Sequence, residues 1–336
     1  MLDELATIYA INSVSSAEKQ LQQYLSEKYS ELGYQINKDG LYSVFAETNK
    51  VDKELEKVLV ACPMDEIGLM VERIFPNGRL SFVCLEAQSP AVLLGQRVQI
   101  LARDGSLYPA VISTDCKLLE QVPASVKESN LFIELCDPSD SKKILPGDLV
   151  SFASELVETD HTFVGRSLNQ KVLQAVELEL LRELQATTLD YQLSIGAVAQ
   201  STVGFRGTQT ATYVTRPNLA IALTAFEAHG SKSGLDLGSG VVVSCYDRQM
   251  LPDHQLLDYV TSKYAVQPYL GLLANDGSFI HKTLSGTPTL ALGIVMRNLG
   301  TANVVADKRD IKALVNFLKH FLLELELHKV GRPFNV

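Results

Sequence analysis

The chain is 336 residues long, about twice a typical single domain, so two domains or one large α/β unit is expected. Apolar residues make up 46% of it and charged residues 21%, ordinary values for a globular protein with a real core. A net charge of -9 and a pI near 5.3 argue against duplex nucleic acid or an anionic membrane as a main partner, since both select for cationic surfaces.

The start, Met1-Leu2-Asp3-Glu4, carries acids where a secretory signal carries Lys or Arg. The first forty residues read as helical. Ser15 and Glu18 have the spacing of a capping box, Leu21, Leu25, Tyr29 and Leu32 follow at helical intervals, and Gly33 is a stop signal. Residues 34–37 and 41–47 read as extended. Val58-Leu59-Val60-Ala61-Cys62 is a continuous apolar run of the kind found in strands buried on both faces. After Gly68 the texture changes. To about Arg166 the chain reads as short strands broken by turn signals such as Pro76-Asn77-Gly78, Arg103-Asp104-Gly105 and Pro146-Gly147-Asp148. From Ser167 the α/β rhythm resumes. Helices are predicted over 172–184 and 254–264, and strands over 193–199, 219–223, 241–245 and 289–294. Asp307 is placed to cap a last long helix with the apolar stripe Ile311, Leu314, Leu318, Phe321, Leu322 and Leu325.

The pattern is an α/β unit interrupted by an all-β insertion, with no internal repeat. No apolar run approaches the roughly 20 residues that span a bilayer. The five cysteines, Cys62, Cys84, Cys116, Cys136 and Cys245, are odd in number, widely spaced and free of any CxxC pair. They read as reduced thiols in a cytoplasmic protein. In open α/β sheets the ligand crevice lies at the carboxyl ends of strands. That directs attention to residues 63–68, 200–207, 224–230 and 275–281.

The first of these crevice segments, with its neighbours, carries a resemblance. Ala61-Cys62-Pro63-Met64-Asp65-Glu66-Ile67-Gly68-Leu69-Met70-Val71 resembles the Ala-His-Met-Asp-Glu-Ile-Gly-Phe-Met-Val segment of the glutamyl-aminopeptidase, or endoglucanase-M-like, family of dinuclear zinc or cobalt aminopeptidases. Further segments follow in register: 166–171 resembles Lys-Ala-Leu-Asp-Asn-Arg, 200–208 resembles Gln-Glu-Glu-Val-Gly-Leu-Arg-Gly-Ala, 220–224 the Ala-Ile-Ala-Val-Asp strand, 276–281 Asp-Ala-Gly-Ala-Ile-His, and 294–301 Ile-Pro-Val-Arg-Tyr-Ile-His-Ser. The resemblance implies an aminopeptidase-like three-layer domain, a mixed sheet with helices on both faces, formed by residues 1–67 and 167–336. Residues 68–166 then form an inserted β-barrel-like domain that serves as lid and oligomerisation surface.

The resemblance also implies a site, and the chain departs from it throughout. The family's metal-ligand positions fall on Pro63, Asn169, Thr202, Thr224 and Gly300, and its general base falls on Ser201. Pro63 and Gly300 have no side-chain donor. Asn169 has only a neutral carbonyl, and Thr202 and Thr224 only weak hydroxyls. A zinc pair carries four positive charges and needs anionic and imidazole ligands. Without it no water reaches a pKa of roughly 7, and Ser201 cannot take a proton from one at neutral pH. No metal or other cofactor is therefore expected.

Asp65 and Glu66 match the family. In the family that aspartate orients a ligand histidine; beside Pro63 it reads as a turn acid or the partner of a nearby cation. Asp276 and His281 match too, and read as a helix cap and a packing or hydrogen-bonding imidazole. Glu227 and His229 with Asp65 are a weaker candidate for a rebuilt one-metal site. No Gly-x-Ser-x-Gly elbow occurs, Gly204 and Gly207 lack phosphate-loop spacing, and Cys62 reads as a buried thiol. The expectation is a degenerate relative that binds a peptide or small molecule in the emptied cleft, or acts as a scaffold or regulatory subunit for an active paralogue. Self-association through the β insertion is expected as well. The opposing readings are an active metallo-aminopeptidase with an unrecognised ligand set and a non-metal hydrolase.

Overall fold

A computed structural model describes residues 3–48, 55–115, 126–228 and 234–330 of the chain. Two helices open it, α1 (Leu5–Ala10) and α2 (Lys19–Glu31). The stripe Leu21, Leu25 and Tyr29 is buried, and Gly33 takes a left-handed φ of +84° just past the end of α2. The capping box is not formed. Glu18 occupies the N-cap position with helical backbone angles and makes no side-chain cap, because its carboxylate and the Ser15 hydroxyl are engaged elsewhere. Next come β1 (Gln35–Lys38), β2 (Val44–Glu47) and β3 (Lys57–Pro63). The second extended segment starts only at Val44, since Tyr42 sits at positive φ.

Six strands then close on themselves: β4 (Leu69–Ile74), β5 (Leu80–Cys84), β6 (Arg97–Leu101), β7 (Leu107–Thr114), β8 (Leu131–Leu135) and β9 (Leu149–Phe152). Their order round the barrel is β4-β5-β8-β7-β6-β9, and β9 pairs antiparallel with both β6 and β4 to complete the ring. Closure leaves no free strand edge. The barrel has its own core, with Leu69, Leu80, Val98, Ile100, Ile112, Ile133 and Val150 pointing inward.

After the barrel come β10 (Val157–Glu158), β11 (Thr162–Gly165), helix α3 (Leu168–Leu184), β12 (Gln192–Val198), α4 (Arg206–Thr215), β13 (Leu219–Glu227) and β14 (Val241–Tyr246). The chain ends on α5 (His254–Lys263), β15 (Gln267–Leu270), β16 (Thr289–Arg297), β17 (Val304–Asp307) and α6 (Lys308–Glu324), followed by one short turn. Asp307 caps α6 by accepting from the Arg309 amide at 2.7 Å.

The large sheet runs β1-β2-β12-β3-β13-β16-β17-β11-β10, with β14 pairing with β16 and β15 pairing with β14. Its centre, β12-β3-β13-β16, is parallel; β2, β17 and β14 join that centre antiparallel, and β15 runs parallel to β14. Alternation along β3 shows why the strand is apolar throughout. Val58, Val60 and Cys62 face the core under α2, α3 and α6, while Leu59 and Ala61 face a second core with Ala211 of α4 and Ile280. The fold is thus a mixed sheet with helices on both faces plus a closed barrel. Among the described residues no helix is long and apolar enough to cross a membrane.

Candidate functional site

The carboxyl ends of β3 and β12 lie side by side, and the chain turning off each carries the retained acids and the substituted hydroxyls. Asp65 is fully buried just past β3. Its Oδ1 accepts from the Ser201 amide at 2.7 Å. Its Oδ2 accepts from the Thr202 amide at 3.0 Å, from Ser15 Oγ at 2.5 Å and from the Thr202 hydroxyl. The Ser15 and Thr202 hydroxyl oxygens are also 2.6 Å from each other. Burial raises the Asp65 carboxyl, and the four donors oppose that shift. Among the described residues no Lys or Arg hydrogen-bonds Asp65; of the two roles read from sequence, turn acid or partner of a cation, its bonds to the Ser201 and Thr202 amides fit the first.

A second acid stands beside the first. Asp276 is buried at the start of a single helical turn, Gly277–Ile280, but its side chain does not cap that turn. Its Oδ1 instead accepts from Ser201 Oγ at 2.9 Å and from Thr208 Oγ1 at 2.5 Å. Burial pushes Asp276 up to about 6. Glu18 closes the group from the N-terminal segment: its Oε1 accepts from the Gln200 amide at 3.0 Å. Burial first, and then Asp65, push it up to about 8.

Glu66 belongs to a different cluster. It accepts from the Ser13 amide at 2.7 Å and from Arg166 Nε at 3.1 Å, and that ion pair is buried. Arg166 also donates to Tyr9 O and Asn12 Oδ1, and the buried Lys171 donates to Ile11 O and Ser13 Oγ. Glu66 lies on the way into the barrel and Arg166 on the way out, so this knot fixes both crossings against the N-terminal segment. Lys171, desolvated there, falls to about 8.

The remaining positions singled out from sequence stand apart. Pro63 ends β3, where its carbonyl accepts from Gln174 Nε2. Asn169 lies in the first turn of α3, which begins at Leu168, four residues earlier than the periodicity indicates. Thr224 is within β13, with its hydroxyl near the Ala225 carbonyl. Gly300 lies between β16 and β17 at φ +75°. Among the described residues no hydrogen bond joins Asn169, Thr224 or Gly300 to Asp65 or Asp276. His281 Nδ1 meets the Gly277 carbonyl at 3.1 Å and does not contact Ser201. Glu227 accepts from the Leu299 amide, and His229 and Cys116 lie outside the described residues. Ser15, Glu18 and Thr208 were not expected here. No motif signals them; they enter through tertiary contact alone.

This arrangement does not fit a pair of metal ions. Among the described residues no group of three or more His, Cys, Asp or Glu could hold one. The oxygens that do converge bond each other. Two oxygens sharing a small cation at about 2.0–2.2 Å stand about 3 Å or more apart, whereas Ser15 Oγ and Thr202 Oγ1 are 2.6 Å apart. Nor does the set supply an activated nucleophile, since Ser201 Oγ donates to a carboxylate and no imidazole orients it.

Residues 43–317 match the family model described as M42 glutamyl aminopeptidase. The chain is 27% identical to the glutamyl aminopeptidase of Lactococcus lactis subsp. cremoris, in an alignment covering 100% of this chain and 99% of that one. In structure it is similar to an aminopeptidase from the archaeon Desulfurococcus kamchatkensis, with a TM-score of 0.91 at 22% identity, covering 100% and 98% of the two chains. It is also similar to the TET1 peptidase of Pyrococcus horikoshii, which can assemble into a tetrahedron or a large octahedral shell. There the TM-score is 0.86 at 19% identity, covering 96% and 99%.

Proposed function

The chain belongs to the M42 glutamyl aminopeptidase family, and on that premise we propose that it is a member whose cleft does not run two-metal hydrolysis. It would bind a peptide or small molecule in that cleft, or serve as a scaffold or regulatory subunit for active relatives. The observation that carries this reading is Asp65. Both of its oxygens are taken by donors from Ser15, Ser201 and Thr202, two of which occupy the family's base and ligand positions. The division at residues 68–166 is part of the same reading. So is self-association through the barrel, which the TET1 peptidase's assembly supports.

Descent favours a second reading over the first: an active aminopeptidase that removes N-terminal residues from peptides with a different ligand set. The relative aligned along the whole chain is itself named a glutamyl aminopeptidase. Elemental analysis beside an aminopeptidase assay across N-terminal residues separates the two. The first reading expects no stoichiometric zinc, cobalt or manganese, and no turnover above background with or without added metal. General acid–base help alone is worth ~10²–10⁴ in rate, and here the base position and all five ligand positions are changed together. One or two metals per chain with metal-dependent turnover would establish the second.

A further inference from the structure

We infer that the hydroxyls of Ser15, Ser201, Thr202 and Thr208 and the two buried acids form a hydrogen-bonded clamp, and that this clamp, not a cation, ties the cleft together. The inference rests on the metal-free reading above and adds what holds the cleft. Buried acids such as Asp65 and Asp276 are costly unless hydrogen-bond donors meet their oxygens. Each has donors here: backbone amides and hydroxyls for Asp65, hydroxyls for Asp276. Ser201 gives its amide to Asp65 and its hydroxyl to Asp276, so this one residue bridges the two acids. Thr202 gives both amide and hydroxyl to Asp65. Ser15 brings in the segment before α2, and Thr208 brings in α4.

Five separate stretches therefore meet on two carboxylates: the segment before α2, the turn after β3, the turn after β12, the start of α4 and the single turn at Asp276. The 2.6 Å approach of Ser15 Oγ and Thr202 Oγ1 leaves no room for a cation shared by those two oxygens. Glutamates at 201 and 202 would turn donors into acceptors facing Asp65 and Asp276.

The test uses the full chain with the variants Ser15→Ala, Thr202→Val and their double, followed by urea unfolding. Residues sharing one acceptor do not act independently. The double variant's folding constant should depart at least about threefold from the product of the single effects. Wild-type melting curves with EDTA and with zinc chloride should overlay. The pair Ser201→Glu with Thr202→Glu should melt lower, with or without zinc. Strictly multiplicative effects in a metal-free, inactive protein would overturn the clamp and leave the functional reading standing. Stabilisation of the wild type or of the glutamate pair by zinc would also overturn the clamp, and zinc with turnover would take the functional reading with it.

Discussion

Glu177, in the middle of α3, is fully buried beside Cys62 and Tyr29, and Cys62 is the one polar group that opposes the effect of its burial. Burial raises its carboxyl well above the ordinary range. Glu18 is raised in the same direction, to about 8. In the unfolded chain both titrate near 4.5. Their contribution is therefore fully present below that value and is lost as pH rises toward the folded values. Stability is expected to fall between pH 5 and pH 8. The isosteric Glu177→Gln should flatten that fall and raise the melting temperature at pH 8 more than at pH 5. Equal pH slopes in the two proteins would show that Glu177 is not a neutral buried acid.

At this scale the sequence was half readable. The departures at Pro63, Asn169, Ser201, Thr202, Thr224 and Gly300 from the residues the resemblance implies are legible in the chain itself. What Ser201 and Thr202 bond to is invisible there, because their partners lie 136 or more positions away for Asp65 and 75 positions away for Asp276. Ser15 and Glu18 misled for the same reason. Their spacing is that of a cap, but the buried Asp65 carboxylate takes the Ser15 hydroxyl and the Gln200 amide takes the Glu18 carboxylate.

Elements were more legible than side chains where apolar periodicity is strong. The runs that became β3, β12, β13 and β16 and the stripes of α2, α3 and α6 follow from burial on one or both faces. Helix α4 was missed. Its sequence, Arg-Gly-Thr-Gln-Thr-Ala-Thr-Tyr-Val-Thr, is poor in helix formers, and buried Thr208, Thr212 and Thr215 replace the usual aliphatic face. Strand β15 was missed because it is short, contains Pro268 and is largely exposed.

Gly293 shows how one residue sets the spacing of two elements. It pairs with Thr224 in the parallel ladder of β13 and β16, and a Cβ there would lie 1.6 Å from the Thr224 carbonyl oxygen. The backbone angle is ordinary, so the demand is for close approach and not for conformational freedom. Gly293→Ala must push the two central strands apart. The cost should reach or exceed the ~1–3 kcal/mol typical of an overpacked core. Urea unfolding reads it, and an unchanged midpoint would mean that the strands are not so close.

At the scale of the molecule, the barrel's core is a cluster distinct from the sheet's main core, with Ile67 and Ala302 from outside the barrel packed into it. The barrel's apolar interior is a separate cluster, and the clamp lies at the sheet's carboxyl ends. An assembly surface on the barrel is therefore independent of the chemistry of the cleft. We predict a homo-oligomer, at least a dimer of the 36.9 kDa chain, with most contacts from residues between about 68 and 166. A specific interface of that kind buries ~1,600 Å². The barrel exposes Val83 at 41% and Leu107 at 45%, single apolar residues that mean little alone but suit an interface centre. The α/β side exposes Leu251 and Leu273 still more, at 73% and 81%, and it is the rival surface. Light scattering at micromolar concentration decides between them. Val83→Glu with Leu107→Glu should reduce the mass to that of one chain, because two acids at a desolvated centre cannot find partners. Leu251→Glu with Leu273→Glu should leave it unchanged, and so should EDTA. A wild-type monomer would end the prediction, and dissociation by the second pair alone would move the interface to the sheet side.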